Sequence, residues 1–340
     1  MKMVADNSSA SVADFRGQTQ PRPDSGTRPE VTLSVVVPLY NEELVINEMY
    51  RRITKVLREC VDSYELIMVN DGSRDRTADY AREICAADKA VRFVNLSRNF
   101  GHQLAITAGM DRCNGRCVVV IDADLQDPPE VIPRMLEKWR SEGCQVVYGV
   151  RARRKGESWF KKTTAKLFYR TLRRLTAVEI PLDTGDFRLI DRRVLSEFLK
   201  MREQARFVRG MVSWVGFKQG HVLFEREERF AGETKYPFKK MVKFAIDGVL
   251  SFSQVPLRVA SAFGFISSGV SFFFMIYGLI AKSFFPRAVV PGWASTFSAI
   301  LFLGGVQLIC LGILGEYVGR IYEEVKKRPL YIIQEELNFE

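Results

Sequence analysis

The run Val118-Val119-Val120-Ile121-Asp122-Ala123-Asp124-Leu125-Gln126-Asp127-Pro128-Pro129 carries the residue types best suited to chemistry in this chain. An apolar stretch delivers two carboxylates separated by one small residue, with a carboxamide two positions later. Hard oxygen ligands of this kind suit Mg2+ or Mn2+, and magnesium commonly takes one or two protein carboxylates, completing its shell with water and substrate phosphates. Asp122 and Asp124 are therefore the candidate metal ligands, and so few protein ligands suggest a metal bridging to a diphosphate. The plainer reading is an acidic turn capping the next helix, for which Asp127 alone suffices. Two more polar clusters occur, Tyr40-Asn41-Glu42 and Asn70-Asp71-Gly72-Ser73. Gly72 permits a tight turn, Asp71 can accept hydrogen bonds from a base or a ribose hydroxyl, and Tyr40 offers a face for stacking. Taken alone, Asp71-Gly72 reads as a turn, with Ser73 or Asp75 capping a helix.

What must position these clusters is an alternation of short apolar strands with helix-period segments. Strands read as 33–38, 65–70, 92–95, 117–122 and 145–148, and helices as 43–59, 75–87, 102–113 and 129–141. This order predicts an α/β domain with a mainly parallel sheet covered by helices on both faces. Ligands bind beyond the carboxyl ends of such strands, so the three clusters should line one cleft.

Together, Val35-Val36-Val37-Pro38 with Tyr40-Asn41-Glu42, then Asn70-Asp71-Gly72-Ser73, then Asp122-Ala123-Asp124, resemble a family 2 glycosyltransferase of the GT-A (Rossmann-like) fold. More narrowly, the chain resembles the polyprenyl-phosphate glycosyltransferases, closest to the bacterial bactoprenol (undecaprenyl-phosphate) glucosyltransferases and related to dolichol-phosphate mannose synthases. The match runs from about Val31 to the C-terminus. It includes Leu96-Ser97-Arg98-Asn99-Phe100-Gly101, Gly185-Asp186-Phe187-Arg188, Arg206-Phe207, Phe230-Ala231-Gly232-Glu233-Thr234-Lys235 and the tail Gly315-Glu316-Tyr317-Val318-Gly319-Arg320-Ile321-Tyr322. The resemblance implies an inverting, metal-dependent transfer of a sugar, with glucose from UDP-glucose as first choice, to a polyprenyl phosphate. It implies nucleotide binding by Pro38, Tyr40, Glu42, Asp71, Ser73 and Asp122. It also implies a metal surrounded by Asp122, Asp124 and Gln126, catalytic roles for Asp122, Asp124 and Asp186, and lipid-phosphate binding by Arg151, Lys161, Lys162, Arg206 and Arg229.

Charge and hydropathy agree with a membrane setting. Residues 259–281 and 293–315 are each 23 residues without a charge, long enough to span a bilayer core of about 30 Å. The net charge of +10 then suits anionic lipid, and no zinc-finger, RNA-binding or basic-zipper pattern points to nucleic acid. Residues 151–174 hold ten Lys or Arg against one acid, interleaved with Trp159, Phe160, Leu167, Phe168 and Leu172, which predicts a basic amphipathic region on the bilayer surface. Residues 236–257 read as a second interfacial helix. Arg258, Arg320, Lys326, Lys327 and Arg328 outnumber Lys282 and Arg287, so the catalytic domain (31–235) and both termini are expected on the cytoplasmic side of the membrane. Residues 1–30, rich in Ser, Pro, Asp and Arg, read as a disordered tail, and 321–340 as a cytoplasmic arm. Pro329-Leu330-Tyr331-Ile332-Ile333 suggests a strand added to a neighbouring protomer, and with it a homo-oligomer such as a tetramer. The six cysteines have no repeated metal-ligand spacing, and neither His102 nor His221 suggests a triad or a metal site. A processive polysaccharide synthase would carry Gln-x-x-Arg-Trp and more spans. A non-catalytic membrane scaffold would not need the three polar clusters.

Overall fold

The computed structural model describes residues 31–151, 184–225, 255–284 and 292–339. Its strands are β1 (Leu33–Leu39), β2 (Tyr64–Asn70), β3 (Val91–Leu96), β4 (Cys117–Val120), β5 (Val146–Arg151), β6 (Thr184–Asp191), β7 (Gln219–Phe224) and β8 (Ile333–Leu337). The helices are α1 (Ile46–Cys60), α2 (Thr77–Ala87), α3 (His102–Asp111), α4 (Ile132–Glu142), α5 (Arg192–Lys200), α6 (Val208–Trp214), α7 (Val255–Phe284) and α8 (Trp293–Val325). One eight-stranded sheet runs in the order β7-β5-β6-β4-β1-β2-β3-β8.

Alternation along β1 divides the core. Leu33, Val35, Val37 and Leu39 face a layer containing Ile46, Met49 and Ile53 of α1, whose spacing puts them on one helix face. Val36 faces the other layer, with Ala105 and Ile106 of α3 and Val194 of α5. Each such fully buried aliphatic side chain stabilises by about 1.5–3 kcal/mol, and burial on both faces explains why β1 has no solvent-facing residue. Gly109 lets α3 lie close on the sheet, because a Cβ there would collide with Val36.

The sheet is mainly parallel, as expected, and is made mixed by two reversed strands. β1, β2, β3 and β4 are mutually parallel and β5 is parallel to β7, but β6 runs antiparallel to both β4 and β5, and β8 antiparallel to β3. The sequence hides β6 because, opposite the face of Phe187 and Leu189, its other buried face carries the ion pair of Asp186 and Arg188. Its register matters for chemistry: Val120 pairs with Arg188, so continuing two residues along the strands sets Asp122 beside Asp186.

The C-terminal arm pairs with β3 of its own chain, which corrects the expectation of a strand exchanged with a neighbour. Leu330, Tyr331 and Phe339 are buried, Arg82 pairs with Glu335 at 3.0 Å, and Arg112 pairs with Glu336. Asn338 Nδ2 donates to the carbonyls of Cys85 and Val91 at 2.8 Å each. Tyr331 donates its hydroxyl hydrogen bond to Asp111, which also pairs with Arg202 at 2.8 Å. A hydrogen bond to a charged group contributes about 1.5–3 kcal/mol, so Tyr331→Phe is expected to lower the unfolding free energy by about 1.5 kcal/mol. Denaturation of the two proteins in detergent checks this, and equal midpoints would remove the arm's hydroxyl from the fold's stability.

Among the described residues, one helical stretch, Phe302–Val325 within α8, is long and apolar enough to cross a membrane. α7 packs against α8, with Cys310 Sγ 3.5 Å from the Ala260 carbonyl, and both present large apolar side chains outward, including Phe265, Phe273, Leu308 and Ile309. The basic region 151–174, apart from Arg151, and the interfacial helix of 236–257, apart from its last residues, lie outside the described residues, as does the 1–30 tail.

Candidate active site

The three clusters meet at one edge of the sheet, and the first two are stitched together by backbone hydrogen bonds. Asn41 N donates to Ser73 Oγ at 2.9 Å, Arg74 N to Asn41 Oδ1 at 2.9 Å, and Glu42 N to Thr77 Oγ1 at 2.8 Å. Gly72 has φ +64° and a Cβ there would lie 2.5 Å from the backbone of Arg98 and Asn99, so glycine is required for the two loops to approach. Asp71, buried, accepts from Asn99 Nδ2 at 3.0 Å, Phe100 N at 2.7 Å and Gly101 N at 3.0 Å. Burial raises its carboxyl, opposed by those backbone donors. Pro38 is buried within β1, while Tyr40 and Glu42 are half-buried at the loop that follows.

Beyond β4 the chain makes a tight acidic turn. Leu125 adopts φ +58°, a left-handed conformation unusual for leucine, and its buried side chain holds it there. The turn is closed by Gln126 N donating to Asp124 Oδ1 at 3.1 Å. Asp127, buried, pairs with Arg151 of β5 at 3.4 Å.

Asp186 is the hub of the site. Its Oδ1 accepts from Arg188 Nη2 at 2.8 Å and Arg209 Nε at 3.0 Å, and its Oδ2 lies 3.1 Å from His102 Nε2. Gln103 Nε2 adds a contact to Oδ2 at 3.4 Å. Burial alone would raise this carboxyl, but Arg209, His102 and Arg188 reverse that and hold it well below the usual carboxylate range. Asp122 Oδ1 lies 3.5 Å from the same His102 Nε2 and receives no hydrogen bond from the described residues. Burial pushes the Asp122 carboxyl up to about 6; His102 opposes the rise, and Asp186, Asp127 and Asp124 add to it. A divalent cation fits such a place: it would offset the negative charge crowded around Asp122, whose side chain is partly exposed and so open to it. Among the described residues no three or more His, Cys, Asp or Glu groups form a complete protein cage, so a cation beside Asp122 and Asp124 would draw its other ligands from phosphate and water.

Not every expected residue joins this centre. Arg206 is buried against the Phe198 ring with Nη1 donating to the Met201 carbonyl, and its electrostatic neighbours are Arg202, Glu203, Asp111 and Tyr331. Asp111 closes α3, whereas His102 opens it, so Arg206 sits by the end of that helix remote from Asp186. Burial and Arg202 push its guanidinium down to about 10. Lys161, Lys162 and Arg229 lie outside the described residues. In the other direction, His102, Gln103, Arg188 and Arg209 belong to the centre although sequence reasoning gave them no role. Arg209 lies three residues after Arg206, and no local pattern tells the two apart. His102 opens a helix directly after Asn99-Phe100-Gly101, and nothing in that position marks it until its neighbours are known.

Burial alone would lower the His102 imidazole, but Asp122 and Asp186 outweigh it and hold its pKa up to about 9. A folded value above the unfolded value of about 6.5 means that this contribution to stability is full below pH 6.5 and is lost as pH rises through about 9. In metal-free protein the melting temperature should therefore fall from pH 6.5 to 9 more steeply for the wild type than for His102→Gln. Parallel melting curves across that range would rule the charged imidazole out.

The sequence matches known families and proteins. Residues 34–199 match the glycosyl transferase family 2 model, and residues 255–321 match that of the GtrB C-terminal hairpin. The chain is 53% identical to the uncharacterized glycosyltransferase YkcC of Bacillus subtilis (strain 168) over 310 residues, 91% of this chain and 95% of that one. It is 39% identical to the prophage bactoprenol glucosyl transferase homolog of Escherichia coli (strain K12), covering 89% of this chain and 98% of that protein. The same identity holds to the bactoprenol glucosyl transferase of Shigella phage SfII, over 89% of this chain and 97% of that protein. With a GT-A-like mixed α/β sheet and its acidic turn at the ligand edge, the chain belongs to glycosyl transferase family 2 and is a glycosyltransferase.

Proposed function

We propose that the protein transfers a sugar, glucose from UDP-glucose, to the phosphate of a polyprenyl carrier lipid at the cytoplasmic face of the membrane, with inversion and with bound Mg2+ or Mn2+. One observation carries this reading: an acidic turn and an arginine-clamped carboxylate share one sheet edge in a chain that also has an apolar helix and relatives named bactoprenol glucosyl transferases. Asp122 and Asp124, with Gln126 beside them, would hold the cation, whose contribution when bound is to neutralise the departing nucleoside diphosphate. The stitched loops of Tyr40, Glu42, Asp71 and Ser73 would receive the nucleoside.

The acceptor phosphate oxygen is already anionic at pH 7, so the reaction does not need a strong base. Asp186 suits that economy. A carboxylate held by Arg188, Arg209 and His102, well below its usual range, does not collect a proton but keeps its cations aimed. Bringing a lipid phosphate beside a diphosphate costs repulsion, which guanidinium groups offset through paired hydrogen bonds. Arg151 and Arg209 are the described candidates, with Lys161, Lys162 and Arg229 completing the proposed set; Arg206 is left out by its position. α7 and α8 would form two spans, a hairpin whose outward apolar side chains face lipid.

The test is a panel of radiolabelled nucleotide sugars offered to the purified full chain with undecaprenyl phosphate, with Mg2+, with Mn2+ and with EDTA. Metal-dependent label in the lipid fraction from UDP-glucose is the expected result. Label transferred only to water-soluble acceptors, or equal transfer in EDTA, would overturn the acceptor and the metal respectively.

A further inference from the structure

The centre contains one residue that touches two of its acidic groups and neighbours the third. His102 is the first residue of α3, and its Nε2 lies 3.1 Å from Asp186 Oδ2 and 3.5 Å from Asp122 Oδ1. Its chain neighbour Gly101, with φ +105°, donates its N–H to Asp71 Oδ2 at 3.0 Å. The nucleotide-side loop, the acidic turn and the arginine-clamped strand thus converge on two consecutive residues. Asp186 cannot give way, because Arg188 and Arg209 hold its Oδ1 at 2.8 and 3.0 Å and β6 is paired on both sides. Among the described residues, none anchors Asp122 comparably. Its side chain is 32% exposed although Oδ1 is buried, so the exposure falls on the rest of the group, Oδ2 included.

We propose that His102 is a positioning residue for the metal carboxylate: braced on Asp186, it holds Asp122 Oδ1 inward so that Oδ2 alone is presented to the cation. The inference rests on the metal reading above and deepens it. A carboxylate without a partner turns about its Cβ–Cγ bond between one-oxygen and two-oxygen presentations. A fixed imidazole beside one oxygen removes that freedom before the cation arrives. Groups that orient a metal ligand in this way commonly carry 10–100-fold of the metal affinity. Gln103 Nε2 and Arg209 reach Asp186 beside His102 and add to the brace on which it rests.

The experiment measures Mn2+ binding to the full chain in detergent by electron paramagnetic resonance, with and without UDP, for the wild type, His102→Phe and His102→Gln. His102→Phe is expected to bind Mn2+ about 10–100-fold more weakly. His102→Gln, whose amide nitrogen can reach the same place, should recover most of the loss. In turnover, the metal concentration for half-maximal rate should rise in His102→Phe while the KM for the nucleotide sugar at saturating metal changes little. Unchanged Mn2+ affinity in His102→Phe would overturn the proposal, and so would a direct manganese–nitrogen coupling to His102, which would make it a ligand. A second measurement needs no metal: the 15N shifts of the His102 ring nitrogens, assigned with His221→Gln, should move in Asp122→Asn. If they do not move, His102 does not hold Asp122, whatever the metal does. If wild-type protein binds no Mn2+ even with UDP while those shifts do move, the metal reading fails and the His102–Asp122 contact stands.

Discussion

Replacing Asp186 with Asn is expected to destabilise the fold by about 3–5 kcal/mol and to lower turnover sharply. The side chain is buried and sits among Arg188, itself buried, Arg209 and His102. Removing one partner of a buried ion pair leaves the other charge without compensation, and this, more than the lost attraction, sets the cost. The amide keeps the shape of the carboxylate, so the effect reports charge and not a cavity. Denaturant unfolding at pH 7 measures the stability, and lipid-linked label measures the turnover. The pH dependence of kcat/KM separates the roles: a group that only aims its cations lowers the plateau and leaves the acid limb in place, whereas removal of a base erases that limb. Near-normal turnover would take Asp186 out of the catalytic set altogether.

Asp122→Asn should give the opposite combination, an enzyme that is nearly inactive yet no less stable when metal-free. The Asp122 carboxyl is pushed up to about 6 by burial and by Asp186, Asp127 and Asp124, against the pull of His102. A folded value raised above the unfolded one means that the ionised group works against the fold at neutral pH, so an uncharged isostere removes a cost. Catalysis should suffer because the same carboxylate is the proposed first ligand of the cation. Loss of a comparable preorganised electrostatic element costs about 10²–10³ in kcat. Melting temperature and transfer rate on one preparation check both halves; a melting temperature well below wild type would show that Asp122 stabilises this fold. Read together, the two variants split the centre into a member that holds the structure and a member that the structure strains.

Much of the fold was legible because β1 to β5 and α1 to α4 obey local rules. Their apolar residues recur at the spacing of one strand or helix, and Gly72 and Asp71 mark a turn by their chemistry alone. Arg206 and Arg209 show where legibility ended. Both are arginines in one short segment, three residues apart, and only packing decides that Arg209 meets Asp186 while Arg206 lies on Phe198. His102 gave no signal either, since a lone histidine at a helix start is ordinary until its neighbours are known.

Residue types in consecutive positions account for the acidic turn Asp122-Ala123-Asp124, the strand that delivers it, the edge on which the polar clusters lie and the apolar stretches near the C-terminus. Only the tertiary structure decided that β6 enters between β4 and β5 against their direction, that its register sets Asp186 beside Asp122, and that the C-terminal arm returns to β3 of its own chain. The physical reason is sequence separation. Contacts such as His102 with Asp186 or Tyr331 with Asp111 join residues 84 and 220 positions apart, and no local periodicity encodes a partner at that distance.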